Sequence, residues 1–224
     1  MTAPVVLKFG GELLEDSSRV NAIMSAIADI AGAGTPLVIV HGGGKEIDAA
    51  LRTAGIEKRQ VEGLRITDDQ TLEVVVSVLA GIVNTRLVAA LSAAGVAAVG
   101  LTGADGRLGL SEVAPPHTTV DGQSVELERV GLPSRASDTR LLRTLINDGF
   151  VPVVSSIGAT ESGQLLNVNA DTMAGHLAAM LSARRLVIAG STAGVLDQSG
   201  KTVALLDPAA IAKLVTGRTA TAPR

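Results

Sequence analysis

Short aliphatic and β-branched runs alternate along the chain with longer stretches whose apolar positions recur at helical spacing. Residues 4–9 (PVVLKF), 36–40 (PLVIV), 96–101 (VAAVGL), 150–157 (FVPVVSSI) and 184–190 (RRLVIAG) predict buried strands. Helices are predicted over 17–32, after the glycines at 42–44, over 137–148, 169–183 and 208–215, with Gly55 as the stop of the second. Thr67 and Gln70 have capping-box spacing and predict the opening of a long helix over roughly 68–93. Residues 105–135 are punctuated by Gly and Pro, with short extended pieces GLSEV and VELERV, and predict hairpins or a small flap. Strand–helix alternation with apolar strands implies an α/β fold: a three-layer α/β/α sandwich around a mostly parallel sheet covered on both faces. No internal repeat, low-complexity segment or linker breaks the pattern, so one domain is expected.

The 68–93 segment carries apolar residues around most of its circumference, where a surface helix would carry one stripe. Two buried faces are expected, one on the sheet and one on a partner subunit or on a second part of the same domain. Composition narrows the chemistry. With 46% apolar residues among 224 there is ample core material, and with Phe9 and Phe150 as the only aromatics that core is aliphatic. Absence of Cys removes disulfides, thiolate metal sites and thiol nucleophiles. A net charge of −3 without a basic block, and no Trp or Tyr, argue against nucleic acid as a partner. No apolar run reaches the ~20 uninterrupted residues of a membrane span, and the N-terminus reads as a strand rather than a leader. A soluble cytoplasmic protein is expected.

Candidate chemistry gathers where strands end. Lys8 lies near the end of the first strand, ahead of Gly10 and Gly11, and Gly42, Gly43 and Gly44 follow the second. Glycines there let backbone N–H groups approach an anion, and the helix N-terminus adds partial positive charge. Neither cluster has the Walker A or dinucleotide spacing. Each alone reads more readily as a tight strand–helix turn, but two clusters with a strand-end lysine point to phosphate. Arg65, before the long helix, is either a carboxylate fork or an exposed loop residue. Asn167, Asn169 and Asp171 fall between an apolar run and a helix. Asn167 and Asn169 could hydrogen-bond a substrate, and Asp171 could pair with Lys8. Equally, Asn169 is an N-cap with Asp171 in the first turn.

The segments LKFGGELLED, VIVHGGGKEID, VEGLRITDDQTLEVV, LAGIVNTRLV, VGLTGADGRL, DGFVPVVSSIGATESGQLLNVNAD and STAGVLD resemble, in order and over nearly the whole chain, the amino acid kinase family. GLRIT and NVNAD are similar to its N-acetyl-L-glutamate kinase branch. The resemblance implies ATP-dependent phosphorylation of the side-chain carboxylate of N-acetyl-L-glutamate, an acyl-phosphate step of arginine biosynthesis. It implies Lys8 and Asp171 as catalytic residues, and Gly43, Gly44, Arg65, Asn167 and Asn169 as substrate-binding. Gly10, Gly11, Ser191, Thr192, Gly194, Thr219 and Thr221 would lie on the nucleotide side. Mg²⁺ would arrive with ATP as co-substrate, with no dedicated carboxylate cage. A carboxylate acceptor is already ionised, so His41 is expected to be a loop hydrogen-bonder, not a base. An acyl-substrate lobe over about 1–165 and a shortened nucleotide lobe over about 166–224 are expected.

The sequence departs from the family pattern in places. The family's second phosphate-gripping lysine, in a G-M-x-x-K-like segment, would fall beyond Arg224, and the family Asp of S-D-V-x-G-V is replaced in GSTAGV. Many relatives carry Lys where Ile82 stands. These departures leave three alternatives: a fragment of a kinase, a kinase using another cation such as Arg218 or Arg224, or a non-catalytic relative that binds substrate or a kinase subunit. An early first strand leaves no room for the N-terminal helix of arginine-inhibited hexamers. A homodimer through the 68–93 helix, insensitive to arginine, is expected.

Overall fold

The structure is a computed structural model that describes residues 2–10, 17–190, 194–197 and 199–216. In chain order the elements are β1 (Val5–Phe9), α1 (Ser17–Gly32), β2 (Leu37–His41), α2 (Gly44–Thr53), β3 (Gln60–Val61), β4 (Leu64–Arg65) and α3 (Asp69–Val76). A π-helical segment, Ser77–Val83, leads without a break into α4 (Asn84–Ala93). Then follow β5 (Ala98–Thr102), β6 (Ser111–Val113), β7 (His117–Thr118), β8 (Ser124–Val125), β9 (Val130–Pro133) and α5 (Arg140–Asn147). The chain continues through β10 (Val151–Ser155), β11 (Ile157–Ala159), β12 (Leu165–Val168), α6 (Ala170–Met180), β13 (Arg185–Ala189) and α7 (Pro208–Thr216).

Five strands form a parallel sheet in the order β13-β1-β2-β10-β5. Strand side chains alternate between faces, and the core divides accordingly. Val5, Leu7 and Phe9 join Leu37 and Ile39 in a cluster with Met24 and Ile27 of α1, Leu51 of α2 and Val75, Leu87 and Leu91 of the long helix. Val6, Val38 and Val40 join the opposite cluster with Leu142 of α5 and Met173 and Leu177 of α6. The expected three-layer α/β/α sandwich is therefore present, and its core is aliphatic. β13, at the sheet edge, is the exception to coverage on both faces: Leu186, Val187 and Ile188 are exposed.

Three features differ from the sequence reading. First, Thr67 does not cap the long helix. Its backbone N–H donates to Leu127 O, its hydroxyl engages Arg65 O and Asn167, and the side chain is buried. Asp68 caps instead, accepting from Thr71 N at 2.8 Å. Second, the 105–135 region supplies the expected hairpin (β7–β8), but β6 and β9 join β11 and β12 in a second, mixed sheet ordered β11-β12-β9-β6. β12 was hidden because its alternation is only four residues long. Third, the helix Asp69–Ala93 is long and apolar enough to cross a membrane by length and composition. Here Val75, Leu79, Val83, Leu87 and Leu91 lie in the domain core instead. Its exposed positions include Glu73, Ser77, Gly81, Thr85 and Arg86, with Ile82 the large apolar residue among them.

Candidate active site at the strand ends

The carboxyl ends of β1 and β2, the N-termini of α2 and α6 and the β3–β4 hairpin enclose a cleft of about 440 Å³. In a parallel sheet this is where ligands bind. The cleft brings together Lys8, Gly10, Gly43, Gly44, Arg65, Asn167, Asn169 and Asp171, residues separated by up to 163 positions in sequence.

Lys8 reaches the cleft by strand alternation. It shares the face of Val6, the face that α6 covers, one residue before β1 ends. Its Nζ lies 3.0 Å from Asp171 Oδ1; the Lys8 side chain is 13% exposed and the Asp171 side chain 52%. Asp171 is held in turn by Asn169, whose Oδ1 accepts from the N–H groups of Asp171 (2.9 Å) and Thr172 (3.1 Å). The N-cap reading of Asn169 holds, and the residue also lines the cleft. Alternation works again in β12, where Leu166 and Val168 are buried and Asn167 lies between them. Asn167 Nδ2 donates to Thr67 Oγ1 at 3.0 Å, which fixes the orientation of its amide.

The second glycine cluster forms the floor. Gly43 has an extended φ of 178°, open to any residue, so space rather than conformation demands glycine there. A Cβ would lie 2.9 Å from Leu79 Cδ2 and 3.2 Å from Val83 Cγ2. Gly44 opens α2 and lines the cleft, and a Cβ there would meet nothing within 4 Å, so space does not demand glycine at that position. Gly10 lines the cleft too, but its N–H donates to Ala189 O at 3.1 Å, so it serves the sheet rather than an anion. His41 hydrogen-bonds Gly42 O through Nδ1 at 3.0 Å, the loop role expected from the sequence. Burial holds its imidazole down, at about 4, against the raising effect of the Gly42 bond.

Across the floor stands a cluster the sequence reading missed. Arg65 Nη2 donates to Asp48 Oδ1, and Lys58 Nζ lies 2.8 Å from Asp48 Oδ2. Burial would raise the Asp48 carboxyl, but the hydrogen bonds and charges of Lys58 and Arg65 outweigh it and hold it below the usual carboxylate range. Arg65 Nη1 is buried with no hydrogen-bond partner. The available signal was helical spacing: Asp48 sits one turn beyond Gly44 on α2, on the side that faces the β3–β4 hairpin. Gly11, Ser191, Thr192, Thr219 and Thr221 lie outside the described residues. Gly194 is described, at φ 137°, and is not among the residues lining the cleft.

The fold and a glycine-floored cleft carrying a strand-end lysine define a class, and sequence comparison agrees. The chain belongs to the amino acid kinase family, whose model matches residues 3–220. It is 41% identical over 214 residues to the acetylglutamate kinase of Erythrobacter litoralis, covering 93% of this chain and 71% of that one. It is 44% identical over 192 residues to the acetylglutamate kinase of Methanopyrus kandleri, covering 86% and 73%. Among solved structures, that of smu.665 from Streptococcus mutans UA159 superposes with a TM-score of 0.83 at 25% identity, covering 99% of this chain and 86% of that one.

Proposed function

We propose that the chain transfers the γ-phosphoryl group of ATP to the side-chain carboxylate of N-acetyl-L-glutamate, giving an acyl phosphate for arginine biosynthesis. The observation that carries this reading is the Lys8–Asp171 pair facing Arg65 across the Gly43–Gly44 floor of one cleft. The acetylglutamate kinases that it matches at about 40% identity supply the substrate.

The chemistry needs no general base, because the acceptor carboxylate is ionised at neutral pH. A buried imidazole held at about 4 suits a site that has no use for one. Catalysis rests on positioning and on neutralising charge as the phosphoryl group moves. Lys8 meets the phosphoryl oxygens, and Asp171 keeps the ammonium aimed. Gly43 N–H, at the positive end of α2, supplies a second donor. Arg65 Nη1, buried and unpartnered, takes a carboxylate of the acyl substrate, and Asn167 and Asn169 hold the rest of it. ATP, with its Mg²⁺, occupies the side of about residues 166–224, while about residues 1–165 hold the acyl substrate together with Asn167 and Asn169 from the boundary. The exposed stripe of the Asp69–Ala93 helix, with small residues Ser77, Gly81 and Ala89, serves as the contact of a soluble cytoplasmic homodimer.

The test of substrate is ADP release with N-acetyl-L-glutamate compared with L-glutamate, L-aspartate and carbamate. Release only with the acetylated substrate is expected. Equal rates with L-glutamate would remove the acetylglutamate assignment.

A further inference from the structure

The glycine floor rests on a buried polar couple that phosphoryl transfer does not itself use. His41 closes β2 with no exposed surface, and Asn84 opens α4 with 5%. Asn84 Nδ2 lies 3.0 Å from His41 Nε2, 2.9 Å from the Val153 carbonyl of β10 and 3.4 Å from the Leu101 carbonyl of β5. Backbone carbonyls only accept, so the end of the Asn84 amide that faces them is its nitrogen. That nitrogen only donates, so His41 Nε2 accepts and carries no proton. The single imidazole proton therefore sits on Nδ1 and is donated to Gly42 O, 3.0 Å away.

This bond has a consequence for the cleft. The Gly42 carbonyl and the Gly43 N–H belong to one planar trans peptide and point in opposite directions. Holding the carbonyl on the buried ring turns the N–H to the other side, where Gly42, Gly43 and Gly44 line the cleft. The π-helical segment makes the arrangement possible. It widens the helix just before Asn84, and π segments of this kind recur at functional sites. Leu79 and Val83 of the same segment occupy the space a Gly43 side chain would need, so one stretch of helix packs on the loop and reaches beneath it. Asn84 Oδ1, for its part, fills the space any side chain at Gly100 would need.

We propose that Asn84 and His41 are positioning residues for phosphoryl transfer: Asn84 sets the Nδ1–H tautomer of His41, and His41 sets the Gly42–Gly43 peptide so that Gly43 N–H meets the transferring group. The proposal rests on the kinase reading above and adds two residues to it.

Two partial isosteres separate positioning from mere packing. In His41→Gln the terminal amide falls near the Nε2 position and still meets Asn84, but nothing donates to Gly42 O. In His41→Asn the shorter amide falls near the Nδ1 position and returns that donor. His41→Gln is expected to lose about 10²-fold in kcat, the size seen when one oxyanion donor is lost, with KM for both substrates within a factor of three. His41→Asn is expected to recover at least tenfold of that loss. Equal kcat in the two variants, or a His41→Gln enzyme at full kcat, would overturn the proposal. A second measurement does not depend on the variants folding. Long-range ¹H–¹⁵N spectra of the unmodified protein, with the three histidines assigned by substituting His117 and His176 in turn, report which ring nitrogen of His41 is protonated. Nδ1–H is expected, and Nε2–H would overturn the proposal. The two readings fail separately. No turnover in the unmodified protein sinks the kinase assignment, whereas turnover with an Nε2–H ring sinks the positioning couple alone.

Discussion

Lys8 and Arg65 face one cleft from two kinds of support. Lys8 stands on β1, which is hydrogen-bonded on both sides within the parallel sheet, and its partner Asp171 stands on a capped helix. Arg65 stands on a two-residue strand and is held by Asp48, which Lys58 shares. Main-chain hydrogen bonds and core packing fix the elements on the first side, whereas on the second a short hairpin is tied to α2 by side-chain ion pairs. The contrast matches the two tasks. A transferring phosphoryl group needs donors that do not reorganise, whereas a substrate carboxylate has to enter and leave.

The comparison is broken most directly at Lys8. Lys8→Ala is expected to lower kcat by about 10²–10³-fold, the cost of removing one preorganised charge donor. The partner left behind, Asp171, is half exposed and stays hydrated, so circular dichroism and thermal melting should be little changed. Asp171→Ala leaves a mostly buried ammonium without its partner, so it should melt lower than Lys8→Ala as well as lose turnover. An equal Tm for the two would show that burial of Lys8 carries no weight.

On the other side, Arg65→Ala should raise KM for the acyl substrate about 10–100-fold, the worth of a charge-assisted hydrogen bond, with a smaller change in kcat. A kcat loss matching that of Lys8→Ala would erase the distinction between the two sides. Acid separates them further. His41 has a lowered folded pKa, so its neutral burial adds stability above the unfolded value of 6.5, lost as pH falls towards about 4; the difference is worth about 3 kcal/mol. Asp48 also has a lowered folded pKa. Its contribution is present above the ordinary carboxylate value and is lost as pH falls from there through the lowered folded one. Melting of the unmodified protein should therefore fall between pH 6.5 and 4, a slope that His41→Asn flattens and Asp48→Asn leaves in place. The smallest effect is expected at the cap: Asn169→Ala costs about 1 kcal/mol, or about 2–4 °C in Tm.

The parts legible in the sequence were those set by a repeating period. Apolar runs set between helical periods placed β1, β2, β5, β10 and β13, and put Lys8 near the end of the first. The Asn-x-Asn-x-Asp spacing gave the cap and the lysine partner together. Non-local choices were hidden. Thr67 had the spacing of a cap, but Leu127 and Asn167, far along the chain, claim its polar atoms. β6, β9, β11 and β12 are three or four residues long, too short for a period to declare itself. Asp48 and Asn84 look, in one dimension, like any polar residue on a helix. Only the approach of the β3–β4 hairpin to α2, and the π segment before Asn84, give them partners.

The central claim is that this cleft makes an acyl phosphate. The direct measurement is to incubate the protein with ATP, Mg²⁺ and N-acetyl-L-glutamate, trap the product with hydroxylamine, and compare it with Lys8→Ala. The account predicts hydroxamate that accumulates with time and depends on both substrates, at a rate reduced about 10²–10³-fold in the variant. Undiminished hydroxamate formation by folded Lys8→Ala, or none from the folded unmodified protein, would contradict it.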